Sequence, residues 1–294
     1  MSEDALWPRA ATWLQSNSSN ADISVFGVPA HKTSISKTGA HKTPAAIRKA
    51  LLRYSTYNAT RRLDVATLKV SDLGDVKSPD SIEGEQRTSA MASVAAKSRL
   101  AVALGGDNSI TFAVARGVFG TDLSNAGLIT LDAHHDLRDG ISNGSPVRRL
   151  IEAGLNPKRI VQIGIADFSN SPAYAQRAQA FGIRVIARSE LRRRSVEDIW
   201  AEAISIAGAG SAGVHVDFDV DVCDRAVVPG CPAAAPGGIS ADELRQFAYL
   251  AGWSNLVKSI DITEVDATAD APDGRTVRLA ALLLLEAAAG LASR

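Results

Sequence analysis

Residues 125–136 read NAGLITLDAHHD. A short, mostly apolar run, Ala126–Leu131, leads into four ionisable side chains within five positions: Asp132, His134, His135 and Asp136. The run has the length of a strand, and its lack of alternation implies burial on both faces. The same design recurs in DISVFGVP, LKVSDLGDV, SRLAVALGGDNS, RIVQIGIADF, FGIRVIARSE, AGVHVDFDVDVCD and VKSIDITEVDA. Longer, Ala-rich segments of helical character lie between these runs. One is KTPAAIRKALLRY, with Thr43 as N-cap and Pro44 at the first helical position. Strands alternating with helices require parallel crossovers. The expected fold is α/β: a three-layer α/β/α sandwich with a mostly parallel central sheet, as a single domain over residues 1–294. Residues 77–85 read as a surface loop. AAAPGGIS reads as a loop before a helix starting near Ala241.

Composition narrows the function classes. The 294 residues are 46% hydrophobic and 22% charged, ordinary values for a globular chain with a large core. Its 32 basic and 32 acidic residues give zero formal charge, which disfavours a nucleic-acid partner. The run Arg192–Arg194 reads as a solvated helix start. Cys223 and Cys231 read as reduced thiols. The N-terminus has no apolar run of signal-peptide length. The most apolar segment, LAALLLLEAAAGLA, is interrupted by Glu286 and is too short to span a bilayer. A cytoplasmic protein without a membrane partner is expected.

The acidic residues fall in one kind of place. Asp107, Asp132, Asp136, Asp219, Asp221 and Glu264 all follow apolar runs. In open parallel sheets ligands bind beyond the carboxyl ends of the strands. Carboxylates gathered there repel one another, and a bound cation removes the conflict. Alternate residues of an extended chain point the same way. Asp132, His134 and Asp136 are therefore expected to project together, with His135 turned elsewhere. His215, Asp217, Asp219 and Asp221 are expected on one strand face. Carboxylates with one imidazole suit Mn2+ and related borderline ions, and two such clusters can bridge a metal pair that activates water. Each cluster alone would also describe a polar loop or an acidic turn. His31 and His41 read as loop histidines, and His215 as a satisfied core histidine.

In this order the motifs resemble the ureohydrolase family, which includes arginase, agmatinase and formimidoylglutamase. GVP at 27–29, GAHKTPAAIRKAL, SDLGDV, GGDNS, DAHHD, DFDVDVCD and DITEVD carry the likeness nearly end to end. Asp219, Asp221 and Asp224 are the acids of the DFDVDVCD segment. The resemblance implies an arginase-like fold and a Mn2+ pair. Asp132 and Asp219 would bridge the ions, Asp136 would bind the first, and His134 with Asp221 the second. A hydroxide held between the metals would attack an amidine carbon. Glu264 would orient the cationic amidinium, and Asp136 would help to move a proton. The resemblance also implies a homo-oligomer, trimer or hexamer.

Departures from the family pattern shape the substrate expectation. Asn108 stands where the family has a ligand histidine, so the first metal site is expected to be weak, water-completed or empty. Asn143 stands in a substrate-binding position where the family has a proton-shuttling histidine, and an amide does not titrate. Asp136, a metal-bound water or His135 would then protonate the leaving amine. Arg138, with Arg148 and Arg149 beyond it, offers a guanidinium to an acidic substrate. N-formimidoyl-L-glutamate, hydrolysed to L-glutamate and formamide, fits that pattern. The alternatives are a guanidino hydrolase such as agmatinase, releasing urea, and a metal-poor, non-catalytic member acting as a binding or regulatory protein.

Overall fold

Residue 4 and residues 6–294 are described by the computed structural model. The strands are β1 (Ile23–Val28), β2 (Tyr57–Asn58), β3 (Leu63–Asp64), β4 (Val70–Asp75), β5 (Leu100–Gly105), β6 (Ala126–Leu131), β7 (Ile160–Ile165), β8 (Arg184–Ala187), β9 (Gly213–Asp219) and β10 (Val257–Thr263). The α-helices are α1 (Ala10–Leu14), α2 (Thr43–Ala50), α3 (Ile82–Ala95), α4 (Ile110–Phe119), α5 (Pro146–Glu152), α6 (Pro172–Phe181), α7 (Arg188–Leu191), α8 (Val196–Ala207), α9 (Ala241–Trp253) and α10 (Arg275–Ala292). Eight strands form one sheet in the order β4-β1-β5-β10-β9-β6-β7-β8, and every pairing in it is parallel. The sandwich is therefore wholly rather than mostly parallel. β2 and β3 form a separate antiparallel hairpin.

Strand alternation divides the core into layers. Ile23 and Val25 of β1, Leu100, Val102 and Leu104 of β5, and Val214, Val216 and Phe218 of β9 pack with α1, α2, α8, α9 and α10. The opposite face meets α3 to α6 through Phe26, Val28, Ala101, Ala103, Ala126 and Leu128. On that second face the two central strands turn polar. His215, Asp217, Ser259, Asp261 and Thr263 are all buried there. His215 and Asp217 lie in register with Ser259 and Asp261. His215 is satisfied in place: Nδ1 lies 2.8 Å from Ser259 Oγ and Nε2 lies 3.1 Å from Asp261 Oδ2.

Several local expectations shift by a few residues. Thr43 is the first residue of α2 rather than its cap, because its hydroxyl donates to the Val265 carbonyl. The segment 77–85 already contains the start of α3, capped by the Ser81 hydroxyl on Gly84 N. Arg192–Arg194 form the turn between α7, which ends at Leu191, and α8, which starts at Val196 after its cap, Ser195. The long Leu/Ala segment is helix α10, mostly buried. Among the described residues no helix is long and apolar enough to cross a membrane.

One close crossing brings the first loop over the sheet edge. Gly106 N donates to Val28 O at 3.0 Å, and Asp107 N donates to Ala30 O at 2.9 Å. A Cβ on Gly106 would lie 2.2 Å from Ala30 O, so only glycine lets the two backbones approach. Gly106→Ala is expected to lower stability by about 1–3 kcal/mol, the ordinary range for overpacking. Urea unfolding measures it, and an unchanged midpoint would show that the crossing yields without strain.

Candidate metal centre

β6 ends at Leu131, so Asp132–Asp136 is a loop and strand alternation does not carry His134 and Asp136 to the site. Local hydrogen bonds do that instead. Asp132 N donates to Ile163 O at 3.0 Å, and His134 N donates to Asp132 Oδ1 at 2.6 Å. Ala133 N donates to Asp221 Oδ1 at 2.9 Å. Asp136 adopts φ +53°, a left-handed turn that Asp tolerates better than most residues. Asp219 is the last residue of β9, but Asp221 lies in the following 3₁₀ turn and not on the strand face. Asp219 Oδ1 accepts from Asp221 N at 2.8 Å and fixes that turn.

These turns bring donors from two strand ends together. The ligand atoms of Asp132, His134 and Asp221 all lie within 4.8 Å of one another. His134 Nδ1 is 2.8 Å from Asp221 Oδ2 and 3.5 Å from Asp132 Oδ1. Asp136 Oδ2 accepts from Asn108 Nδ2 at 2.6 Å. The electrostatics express a shortage of positive charge. Burial, with the Asp221 charge added, pushes Asp132 up to about 6. Burial and neighbouring carboxylates raise Asp136 and Asp219 well above the usual range. Burial works against the charged form of His134, but Asp221 and Asp132 outweigh it and push the imidazole up to about 12. Burial also opposes ionisation of Asp221, and the His134 charge with the Ala133 N–H holds it below the carboxylate range. Asp132 Oδ2 is buried without a hydrogen-bond partner among the described residues. A carboxylate oxygen left unpaired in this way is costly unless a cation meets it. The oxygen-rich donor set with one imidazole fits a Mn2+-type ion.

The other candidates fall into two groups. Glu264, at φ +62°, accepts from Asn108 N at 2.8 Å and from Asn143 Nδ2 at 2.9 Å through the same oxygen. Burial and the Asp107 charge push it up to about 8, against those two hydrogen bonds. Asn143 Oδ1 accepts from Ile35 N at 3.0 Å and ties the first loop to the site. Asn108 turns its amide nitrogen, not its oxygen, toward Asp136. Its oxygen accepts from Thr111 Oγ1 at 2.8 Å and Thr263 Oγ1 at 3.2 Å. Hydroxyls donate or accept, so this shell suits either orientation of the amide. A cavity of about 240 Å3 opens over the group, with His134, Asp136, Asp219, Asp221, Glu264, Asn143 and Arg138 on its walls. A larger hollow of about 490 Å3 lies at residues 54–61 against α9 and α10, and holds none of these groups.

His135 is not brought to the cavity. Its Nδ1 lies 2.7 Å from Gln162 Oε1, a partner that only accepts, so that nitrogen carries the ring proton. Burial lowers its affinity for a second proton. Arg148 and Arg149 are also engaged elsewhere: Arg148 with Arg138 O and Glu152, Arg149 with both oxygens of Glu85. Asp107 accepts from Ser34 Oγ at 2.6 Å and Ser109 Oγ at 2.5 Å, and Asp224 accepts from Ala226 N and Gly237 N. Both shape loops rather than the cluster. Asn170 and Gln162, which grip the 132–136 loop, were not singled out from the sequence. Neither sits in a motif or a periodic pattern, and only the polar residue inside the apolar run RIVQIGI hinted at Gln162.

Comparison with known proteins agrees with this geometry. A family model described as the Arginase family matches residues 21–290. Formimidoylglutamase of Halalkalibacterium halodurans is 38% identical over 271 residues, 89% of this chain and 84% of that protein. The crystal structure of formimidoylglutamase from Bacillus subtilis superposes with a TM-score of 0.92 at 29% identity, covering 100% of this chain and 95% of that one. The crystal structure of Trypanosoma cruzi formiminoglutamase with Mn2+ gives 0.91 at 26% identity, covering 98% and 99%.

A cation bound at these carboxylates stabilises the fold by mass action. Free Mn2+ at 100 times its Kd is expected to add about 2.7 kcal/mol. Thermal melting with and without Mn2+ reads this, and Asp221→Ala is expected to abolish the increment. No shift in the unaltered protein would show that the cluster holds no ion.

Proposed function

The chain belongs to the arginase family, and from that premise we propose that it hydrolyses N-formimidoyl-L-glutamate to L-glutamate and formamide at a dimanganese centre. Asp132, His134, Asp136, Asp219 and Asp221, with Asn108, would hold the ions. When bound, the two ions supply the charge that acidifies the hydrolytic water. Glu264 meets the amidinium: its carboxylate is fixed by Asn108 N and Asn143 Nδ2, and an adjacent cation offsets the burial that disfavours its charge. Asp136, whose charge is disfavoured by burial, handles the proton that passes to the departing amine nitrogen as the amidine C–N bond breaks. His135 is left out of that transfer in this reading, since it is absent from the cavity wall and its Nδ1 is turned to Gln162.

The observation that carries the substrate is Arg138. Arg138 is exposed on the wall of the cavity over the acidic cluster, and its guanidinium makes no hydrogen bond or ion pair among the described residues. An amidine with a carboxylate tail satisfies both ends: cation to Glu264, anion to Arg138. Agmatine, a guanidine with a cationic tail, would set like charge against Arg138. A metal-poor binding protein would keep Asp132 Oδ2 buried and unpaired at a standing cost. The reading takes residues 1–294 as one domain, supported by strands from residue 23 to residue 263 in one sheet. It also takes the protein as cytoplasmic, supported by two free buried thiols, and as a homotrimer or hexamer, supported by the exposed Trp253 and Leu256.

A panel of amidino compounds assayed with Mn2+ is expected to release formamide from N-formimidoyl-L-glutamate and little urea from agmatine. Urea as the main product would replace the first substrate with a guanidine. Arg138→Ala removes a charge-assisted contact of about 1.5–3 kcal/mol, so kcat/KM should fall roughly 10- to 150-fold. An unchanged kcat/KM would take Arg138 out of recognition. Asn108→His is expected to bring Mn2+ stoichiometry closer to two per chain. The same stoichiometry in both proteins would place residue 108 outside the coordination shell.

A further inference from the structure

We propose that Asn170 is a positioning residue that sets the metal-binding loop through the two peptide groups flanking His134. This rests on the reading that Asp132, His134 and Asp221 hold Mn2+. The 132–136 segment carries three of the proposed ligands and belongs to no strand. Its shape is imposed by β7 and the segment after it. Asn170 Oδ1 accepts from His135 N at 3.0 Å, and its Nδ2 donates to Ala133 O at 2.9 Å. One planar amide thus pairs with an N–H just after His134 and a C=O just before it, the service an adjacent strand gives in a sheet.

The surrounding contacts show that this grip is specific to the loop. Ala166 N donates to Ala133 O at 3.1 Å, and Gln162 Nε2 donates to His135 O at 2.9 Å. Among the described residues nothing but Asn170 accepts from His135 N. His134 offers Nδ1, the ring nitrogen nearer the backbone, to Asp221 and Asp132. A tilt of the flanking peptides therefore moves the donor atom directly. Asn170 also lies on the cavity wall, beside Ser169 and Ser171. One side chain accordingly holds the His134 peptides and the cavity-lining segment in a single register.

The test compares Mn2+ binding by the full chain with that of Asn170→Ala and Asn170→Asp, by titration calorimetry or Mn2+ electron paramagnetic resonance. Loss of an outer partner of a metal ligand weakens affinity about 10- to 100-fold, and that is the expected rise in Kd for Asn170→Ala. Asn170→Asp keeps the acceptor for His135 N and sets an oxygen against Ala133 O. Its added negative charge, acting through the field alone, would tighten Mn2+. Weaker binding in the Asp variant therefore marks positioning, and equal or tighter binding overturns it. Should Asn170→Ala fail to fold, the isosteric Asp variant carries the same decision. At saturating Mn2+ the variants are expected to show the KM of the unaltered protein. A raised KM that Mn2+ does not relieve would assign Asn170 to the substrate and overturn the proposal. If the unaltered chain binds no Mn2+, the metal reading falls and the inference with it; if it binds and both variants match it, the inference alone falls.

Discussion

Mutual repulsion among buried carboxylates is the constraint on which the rest of the structure depends. Asp136, Asp219, Asp221 and Glu264 line one cavity, Asp132 lies beside His134 and Asp221 behind it, and all five carboxylates are almost fully buried. Among the described residues, His134 alone stands with them as a titratable cation, and Asp221 holds it at 2.8 Å. A protein gains nothing in stability by assembling such a group, because each buried charge costs several kcal/mol of solvation before any pairing. The arrangement makes physical sense as a cage whose missing charge arrives with its ligand. Burial raises the carboxyls, and it also keeps the local dielectric low, where a divalent ion and an amidinium are held most strongly.

The sheet beneath the cage is built to tolerate it. On the face toward α4, β9 and β10 carry His215, Asp217, Ser259, Asp261 and Thr263 in place of aliphatic residues. Asp217 and Asp261 lie in register, and burial together with the Asp261 charge raises Asp217 well above the carboxylate range. His215 Nε2 faces Asp261 Oδ2 of this pair at 3.1 Å. Thr263 Oγ1 then reaches both Asp217 Oδ1 at 3.3 Å and Asn108 Oδ1 at 3.2 Å. The polar column runs from the core histidine to the edge of the cage. The opposite face of the same strands stays apolar with Val214, Val216, Phe218, Ile260 and Ile262, and there the packing energy is found.

Much of this was legible in the sequence because buried parallel strands leave a plain signature. Each apolar run marked a strand, and the acids after the runs marked the functional edge. His215 was recognisable because a lone imidazole in an apolar run has to find partners on the neighbouring strand. Strand alternation does not bring residues 134, 136 and 221 together: the strands stop at Leu131 and Asp219, and hydrogen-bonded turns complete the cluster. Such turns depend on contacts between segments about 90 residues apart, as between Ala133 and Asp221, and no local pattern records them. Asn170 and Gln162 escaped notice for the same reason. They bind backbone atoms of another loop, which any sequence supplies. Arg148 and Arg149 cannot be told from Arg138 by spacing, because only the fold shows which guanidinium is left without a carboxylate or carbonyl among the described residues.

The amide at 108 follows from the same balance of charge. An imidazole there would bind a first-row ion more strongly, but without the ion it would add another titrating group to a crowded site. Asn108 has no such cost: its NH2 donates to Asp136 at 2.6 Å, its N–H to Glu264 at 2.8 Å, and its oxygen is covered by two threonines. Every polar atom of residue 108 thus has work in the ion-free state, where Asp132 Oδ2 has none. The two halves of the cage differ accordingly. The half built on Asp132, His134 and Asp221 is poised for a cation and strained without one. The half at Asn108 and Asp136 has its hydrogen bonds satisfied by the protein itself.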